Sequence, residues 1–308
     1  MHHYQFGGAA LSSTIALDGL RPLPPGKSLR RAISVIAESG PAPIEDVHHF
    51  AWPGRYQLRL GEHRGAWLMQ SALGGAFLID RDASAVRVFG WGGSADQAIN
   101  DVFVRRVLPR MTNLLGATAI HAASLAGPRG GVLLLGPSGA GKSTLSAALS
   151  HLAGWKLLGD DMATLWTDDQ PSLAPAAKGV CVWPESRAGL GLPLEECREL
   201  PGYGGKLAYQ PAYAGSDEPV PLRNLLFLKR SPDIEMPSFD KLSQAEAIAE
   251  VVPQIIHFNP NGSAGAERVA ALRSLSRAID ADSAWRLHYP ASYAGLPGVV
   301  DRICELLN

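Results

Sequence analysis

The segment Gly136-Pro137-Ser138-Gly139-Ala140-Gly141-Lys142-Ser143-Thr144 has the composition of a cradle for a chain of phosphates. Glycines let the backbone curl so that successive N–H groups point inward, and the positive end of a following helix adds to the field. The apolar run 132–135 before the segment and the helix-forming run 145–149 after it supply the strand and helix such a loop requires. In that setting Gly136, Ser138, Gly139, Ala140, Gly141, Lys142, Ser143 and Thr144 read as a Walker A loop for ATP. Lys142 is then expected at the β and γ phosphates, and Ser143 at Mg2+.

Asp160 and Asp161 stand 18 and 19 positions after Lys142, at the end of a short strand expected beside the loop strand. Ligands collect at that end of such a sheet. Adjacent carboxylates diverge, so one can serve the metal while the other takes a proton from an incoming hydroxyl. His121, ahead of the loop strand, can strengthen a carboxylate network or bond the γ-phosphate. Asp168 and Asp169 read as turn residues.

Positioning these groups calls for an α/β core, a P-loop mixed sheet flanked by helices, over residues 116–308. Strands are expected at 117–125, 155–158, 162–166, 179–183, 222–228 and 284–288. Helices are expected at 244–257, 264–279 and 296–307, with residues 201–215 as a loop able to close over a ligand. Residues 1–115 read as a smaller, mainly antiparallel β domain for partner, substrate or oligomer contact. Its strands fall at 56–60, 67–69, 76–79 and 85–89, followed by a helix at 94–115 bent by Pro109.

With 308 residues, 46% of them hydrophobic, the chain can bury one large core or two smaller ones. A net charge of −1 argues against a dedicated nucleic-acid binder. Three separated cysteines form neither a disulfide framework nor a metal cluster. No apolar stretch reaches the length of a membrane span, and the first residues lack a signal-peptide pattern, so a cytoplasmic protein without membrane contact is expected.

His121, the glycine loop and the run Leu157-Leu158-Gly159-Asp160-Asp161 together resemble the catalytic half of HPr kinase/phosphorylase and its relatives, whose nucleotide fold is similar to phosphoenolpyruvate carboxykinase. The resemblance covers about residues 115–290. It implies a serine kinase using ATP and Mg2+, with His121 in the active site, Lys142 and Ser143 matching the loop lysine and serine, and Asp160 as the base toward the acceptor serine. Position and charge add the expectation that His121 supports Asp160 and that Ser143 and Asp161 help the metal. The family's Leu-Glu-Ile-Arg-Gly-Leu-Gly segment is replaced here by Gly179-Val180-Cys181-Val182-Trp183-Pro184-Glu185. That substitution speaks against phosphorylase activity and leaves Glu185 as a weak metal candidate, better read as a first-turn helix residue.

The plan of the chain is closer to the HPr-kinase-related proteins found beside PqqD-type peptide-binding partners. Lys206 and Arg223 are further cations able to offset charge on a transferring phosphoryl group. A small-molecule kinase, and a nucleotide-gated peptide binder that transfers nothing, remain as alternatives.

Overall fold

The Gly7-Gly8 pair turns the chain at positive φ, which pairs Phe6 with Ala9 in a two-residue hairpin and starts the first sheet. In the computed structural model, which describes residues 1–53, 57–200, 203–211, 218–262, 264–280 and 282–307, the chain divides into two units. The first comprises residues 1–117, 200–204 and 257–269. Its strands are β1 (His2–Phe6), β2 (Ala9–Ser13), β3 (Arg21–Pro22), β4 (Arg31–Glu38), β5 (Val47–Trp52), β6 (Leu58–His63), β7 (Ala66–Gln70), β8 (Ala76–Ile79) and β9 (Ala85–Phe89). They form one sheet in the order β3-β1-β2-β4-β9-β8-β7-β6-β5.

The hairpin of β8 and β9 falls at the residues where alternating apolar positions place it. The sheet is larger than expected and mixed, because β4 runs parallel to both β2 and β9. The strands β1 to β5 lie in a stretch whose histidines, serines and short runs give little alternation to read. Of the expected strand at 56–60, Tyr56 lies outside the described residues.

The expected helix at 94–115 appears as α1 (Asp96–Val102), a π-helical turn at Phe103–Val107, and α2 (Leu108–Leu114). Leu108 N–H reaches back five residues to Phe103 O. That wider turn accommodates Pro109, which has no N–H to offer, within a run that stays helical. Phe103 stacks on Phe77 of the sheet with ring centroids 5.4 Å apart.

The second unit holds residues 118–199, 205–256 and 270–308. Its strands are β10 (Thr118–Ile120), β11 (Ala123–Gly127), β12 (Gly130–Leu135), β13 (Lys156–Gly159), β14 (Ala163–Trp166), β15 (Ser172–Ala174), β16 (Val180–Val182), β17 (Cys197–Glu199), β18 (Leu207–Tyr209), β19 (Val220–Ser231), β20 (Ser238–Lys241), β21 (Ile255–Ile256) and β22 (Ala284–Pro290). Its helices are α3 (Lys142–Ala153), α4 (Pro184–Leu190), α5 (Gln244–Val251), α7 (Leu296–Leu307) and, from residue 270 on, α6 (Ala264–Ala278).

Parallel strands β12, β19 and β22 form the centre. They are apolar on both faces because both faces are covered. Val132, Leu134, Leu226 and Leu228 pack with Leu145 and Leu149 of α3 and Val299 and Ile303 of α7. Leu133, Leu135, Leu225 and Phe227 pack with Val251 of α5 and Leu275 of α6. The result is a mixed α/β arrangement with helices on either side of the sheet.

Three expectations are corrected here. The strand expected at 117–125 is two strands separated at His121 and Ala122, since β10 pairs with β14 and β21 whereas β11 pairs with β12 and β13. The helix expected at 244–257 ends at Val251; a 3-10 turn at Val252–Gln254 carries Pro253, which cannot extend the ladder of helical bonds. The expected loop at 201–215 contains β18, which joins β16 and β17 in a separate three-stranded sheet, so the strand expected at 179–183 forms as β16 but lies outside the central sheet. Residues 201–202 and 212–217 of that loop lie outside the described residues.

Candidate active site

Strand direction brings the chemistry to one edge of the sheet. β12, β19 and β22 are parallel, so the glycine loop after Leu135, Arg230 near the end of β19, and Tyr289 near the end of β22 share that edge. β13 was expected beside β12, but β11 lies between them. β11 is antiparallel to both neighbours, so β13 still runs the same way as β12 and delivers Asp160 and Asp161 to the loop's edge. His121, two residues before β11, reaches that edge from the opposite direction.

Gly136, Gly139 and Gly141 all have positive φ, of 143°, 83° and 93°. Side chains other than glycine rarely adopt such backbone. The Tyr289 hydroxyl donates to Ala140 O at 2.6 Å and fixes the loop from the β22 side. Burial raises the Tyr289 phenol to about 12, against a smaller opposing pull from Arg230, so it remains a donor throughout the neutral range.

Lys142 opens α3 and is buried. Its ammonium donates to Gly136 O at 2.7 Å, Pro137 O at 3.3 Å and His121 Nε2 at 3.2 Å. Burial pushes its pKa below the ordinary lysine value, partly offset by the charges of Asp161 and Asp160. An ammonium can only donate, so His121 Nε2 accepts and the ring proton resides on Nδ1. From there it is directed at Asp161 O, 2.9 Å away, with Asp161 Oδ1 at 3.4 Å.

The two aspartates part company because of a backbone turn. Asp161 has φ of +66°, and Met162 N–H closes on Asp160 O at 2.7 Å, a three-residue turn that few residue types tolerate. Asp160 Oδ1 accepts from the Ser143 hydroxyl at 2.9 Å, and its Oδ2 from Cys181 N–H at 2.7 Å. Asp161 instead sits with His121 on the wall of a cleft of about 390 Å3. The expected pairings are therefore exchanged: Ser143 meets Asp160, where Asp161 was expected, and His121 meets Asp161, where Asp160 was expected.

The same cleft is lined by Ser138, Gly139, Gly141, Lys142, Ser143 and Thr144 of the loop, and by Lys206. Lys206 Nζ stands 5.1 Å from the ring centroid of Trp183, an arrangement that holds a cation over an aromatic face. Arg223 is not brought to this cleft. It lines a different hollow with Arg129, Asp280 and Asp282, because it stands near the start of β19. Glu185 is an exposed first-turn residue of α4, behind Pro184.

Arg230, Ser186 and Tyr293 also line the cleft, and none was singled out from sequence. Arg230 carried a usable signal, a basic pair with Lys229 ending an apolar strand parallel to the loop strand. Ser186 and Tyr293 carried none: Ser186 Oγ lies 3.1 Å from both Thr144 Oγ1 and Tyr293 OH, a chain that only the fold assembles.

Among the described residues no group of three or more His, Cys, Asp or Glu side chains is gathered to hold a metal ion. No described helix is long and apolar enough to cross a membrane. No protein-family model matches the chain, and no curated protein matches it. Among solved structures, the HPr(Ser) kinase/phosphatase from Coxiella burnetii is similar at 14% identity over 61% of this chain and 96% of that one, with a TM-score of 0.29. A superposition that loose carries no weight for activity, substrate or fold.

Proposed function

We propose that the chain is an ATP- and Mg2+-dependent kinase that transfers the γ-phosphate to a hydroxyl, with serine of a small protein or peptide as the acceptor. The observation that carries this reading is the 2.9 Å bond from Ser143 to Asp160 at the foot of the glycine loop, beside Lys142. Ser143 gives its hydrogen to Asp160 and keeps oxygen lone pairs for a metal, which suits Mg2+ completed by phosphate oxygens and water rather than by a protein cage. Bound there, Mg2+ would neutralise charge on the β- and γ-oxygens.

Lys142 and the loop amides hold the phosphates as a P-loop does. The acceptor oxygen bonds to the γ-phosphorus as the bond to the β–γ bridging oxygen breaks, ADP leaves, and the hydroxyl proton passes to Asp161. Asp161 is better suited to that task than Asp160, whose two oxygens accept from Ser143 and Cys181. Lys206, which lines the same cleft, supplies positive charge. The serine acceptor rests on the sequence resemblance of His121, the loop and the aspartate pair, and the PqqD-type partner on the plan of the chain.

The test is transfer from γ-labelled ATP into a lysate of the source cells. One acid-stable labelled protein or peptide is expected, absent with Lys142→Met. Label appearing only in a small molecule would assign the alternative kinase class, and release of free phosphate alone would remove the acceptor from the account.

A further inference from the structure

We propose that Tyr293 is the platform on which the base of the bound nucleotide stacks. The inference rests on reading the glycine loop as a triphosphate site. In such a loop the lysine serves the terminal phosphates while the helix that follows takes those nearer the sugar, so the nucleoside extends from Lys142 past Thr144. Thr144 leads, through Ser186, to Tyr293 in two steps of 3.1 Å each.

Beyond Thr144 the cleft adjoins a smaller cavity of about 70 Å3, and Thr144, Arg230 and Tyr293 line both. Tyr293 is 39% exposed. One face of its ring rests on the backbone of α4, since a Cβ added at Gly189 would lie 2.4 Å from Tyr293 Cγ. Trp183, the other large ring on the cleft lining, already carries Lys206 over its face. A ring supported on one face, tethered at its hydroxyl and partly exposed on the cleft lining is a stacking surface that tolerates any base.

Equilibrium binding of ATP and of inorganic tripolyphosphate, in wild type and variants, tests this. Tyr293→Ala is expected to weaken ATP about tenfold to a hundredfold and to leave tripolyphosphate within about twofold. Tyr293→Phe, which keeps the ring, should stay within about threefold for both ligands. Gly189→Ala should displace the ring and reproduce the Tyr293→Ala pattern. Equal weakening of both ligands by Tyr293→Ala would make the ring a structural support and overturn the proposal, as would unchanged ATP affinity. Wild type that binds tripolyphosphate as tightly as ATP overturns the stacking alone, whereas wild type that binds neither overturns the phosphate reading and this proposal with it.

Discussion

The hydroxyl of Tyr289 occupies the space that a side chain at Gly141 would need, 2.3 Å from where the Cβ would stand. The same hydroxyl donates to Ala140 O, so one group both ties the loop down and forbids any residue but glycine at its next position. Gly141→Ala meets this clash and a φ of 93°, which costs an L-residue about 1–2 kcal/mol by itself.

Gly141→Ala is therefore expected to lower ADP affinity more than about tenfold in titration calorimetry. Tyr289→Phe should cost about 1 kcal/mol of stability through the lost bond. Combining the two should recover part of the ADP affinity, because the clash goes while the backbone strain stays. A double variant no better than Gly141→Ala would show that the hydroxyl is not the obstacle.

Lys142 gives a pH signature of definite sign. Its folded pKa lies below the ordinary value of 10.5 chiefly through burial. Below the lowered folded value the ammonium is charged in both states, and folding bears its desolvation. Between the lowered folded value and 10.5 the unfolded chain holds a proton that the folded chain has lost, so stability rises with pH in that window. The stability of wild type relative to Lys142→Met should increase in urea unfolding as pH rises toward 10.5. A flat or falling difference would mean that the buried ammonium is not penalised.

Lys206, poised over Trp183 on the cleft wall, is assigned to the charge of the transferring group rather than to nucleotide grip. Lys206→Ala should lower turnover about 10- to 1000-fold and leave ADP affinity within about threefold. Lys206→Arg should restore much of the turnover. Loss of ADP affinity to the same degree would move Lys206 from transfer to binding.

The glycine loop between β12 and α3 was legible because an apolar run, a glycine-rich turn and a helix former follow one another within a short stretch. The β8–β9 hairpin and α7 were legible from their apolar periods. What escaped was everything set by pairing between distant segments. β11 inserts between β12 and β13 through a register that no local pattern encodes. The strands β1 to β5 hold too few alternating apolar residues to announce themselves. The division of labour between Asp160 and Asp161 hangs on a single positive φ at Asp161, and adjacent identical residues give no hint of which way each will face. Arg230 and Tyr293 reach the cleft only because β19 and β22 run parallel to β12.

The exchange of partners between the two aspartates is tested most directly by measuring Mg2+-dependent ATP affinity and single-turnover phosphoryl transfer in Asp160→Asn and Asp161→Asn side by side. With Asp160 beside Ser143 and Asp161 beside His121, Asp160→Asn is predicted to weaken the gain in ATP affinity that Mg2+ provides. Asp161→Asn should keep that gain and slow transfer by about 10²- to 10⁴-fold. The reverse assignment, with the Mg2+ effect lost in Asp161→Asn and kept in Asp160→Asn, would contradict the account.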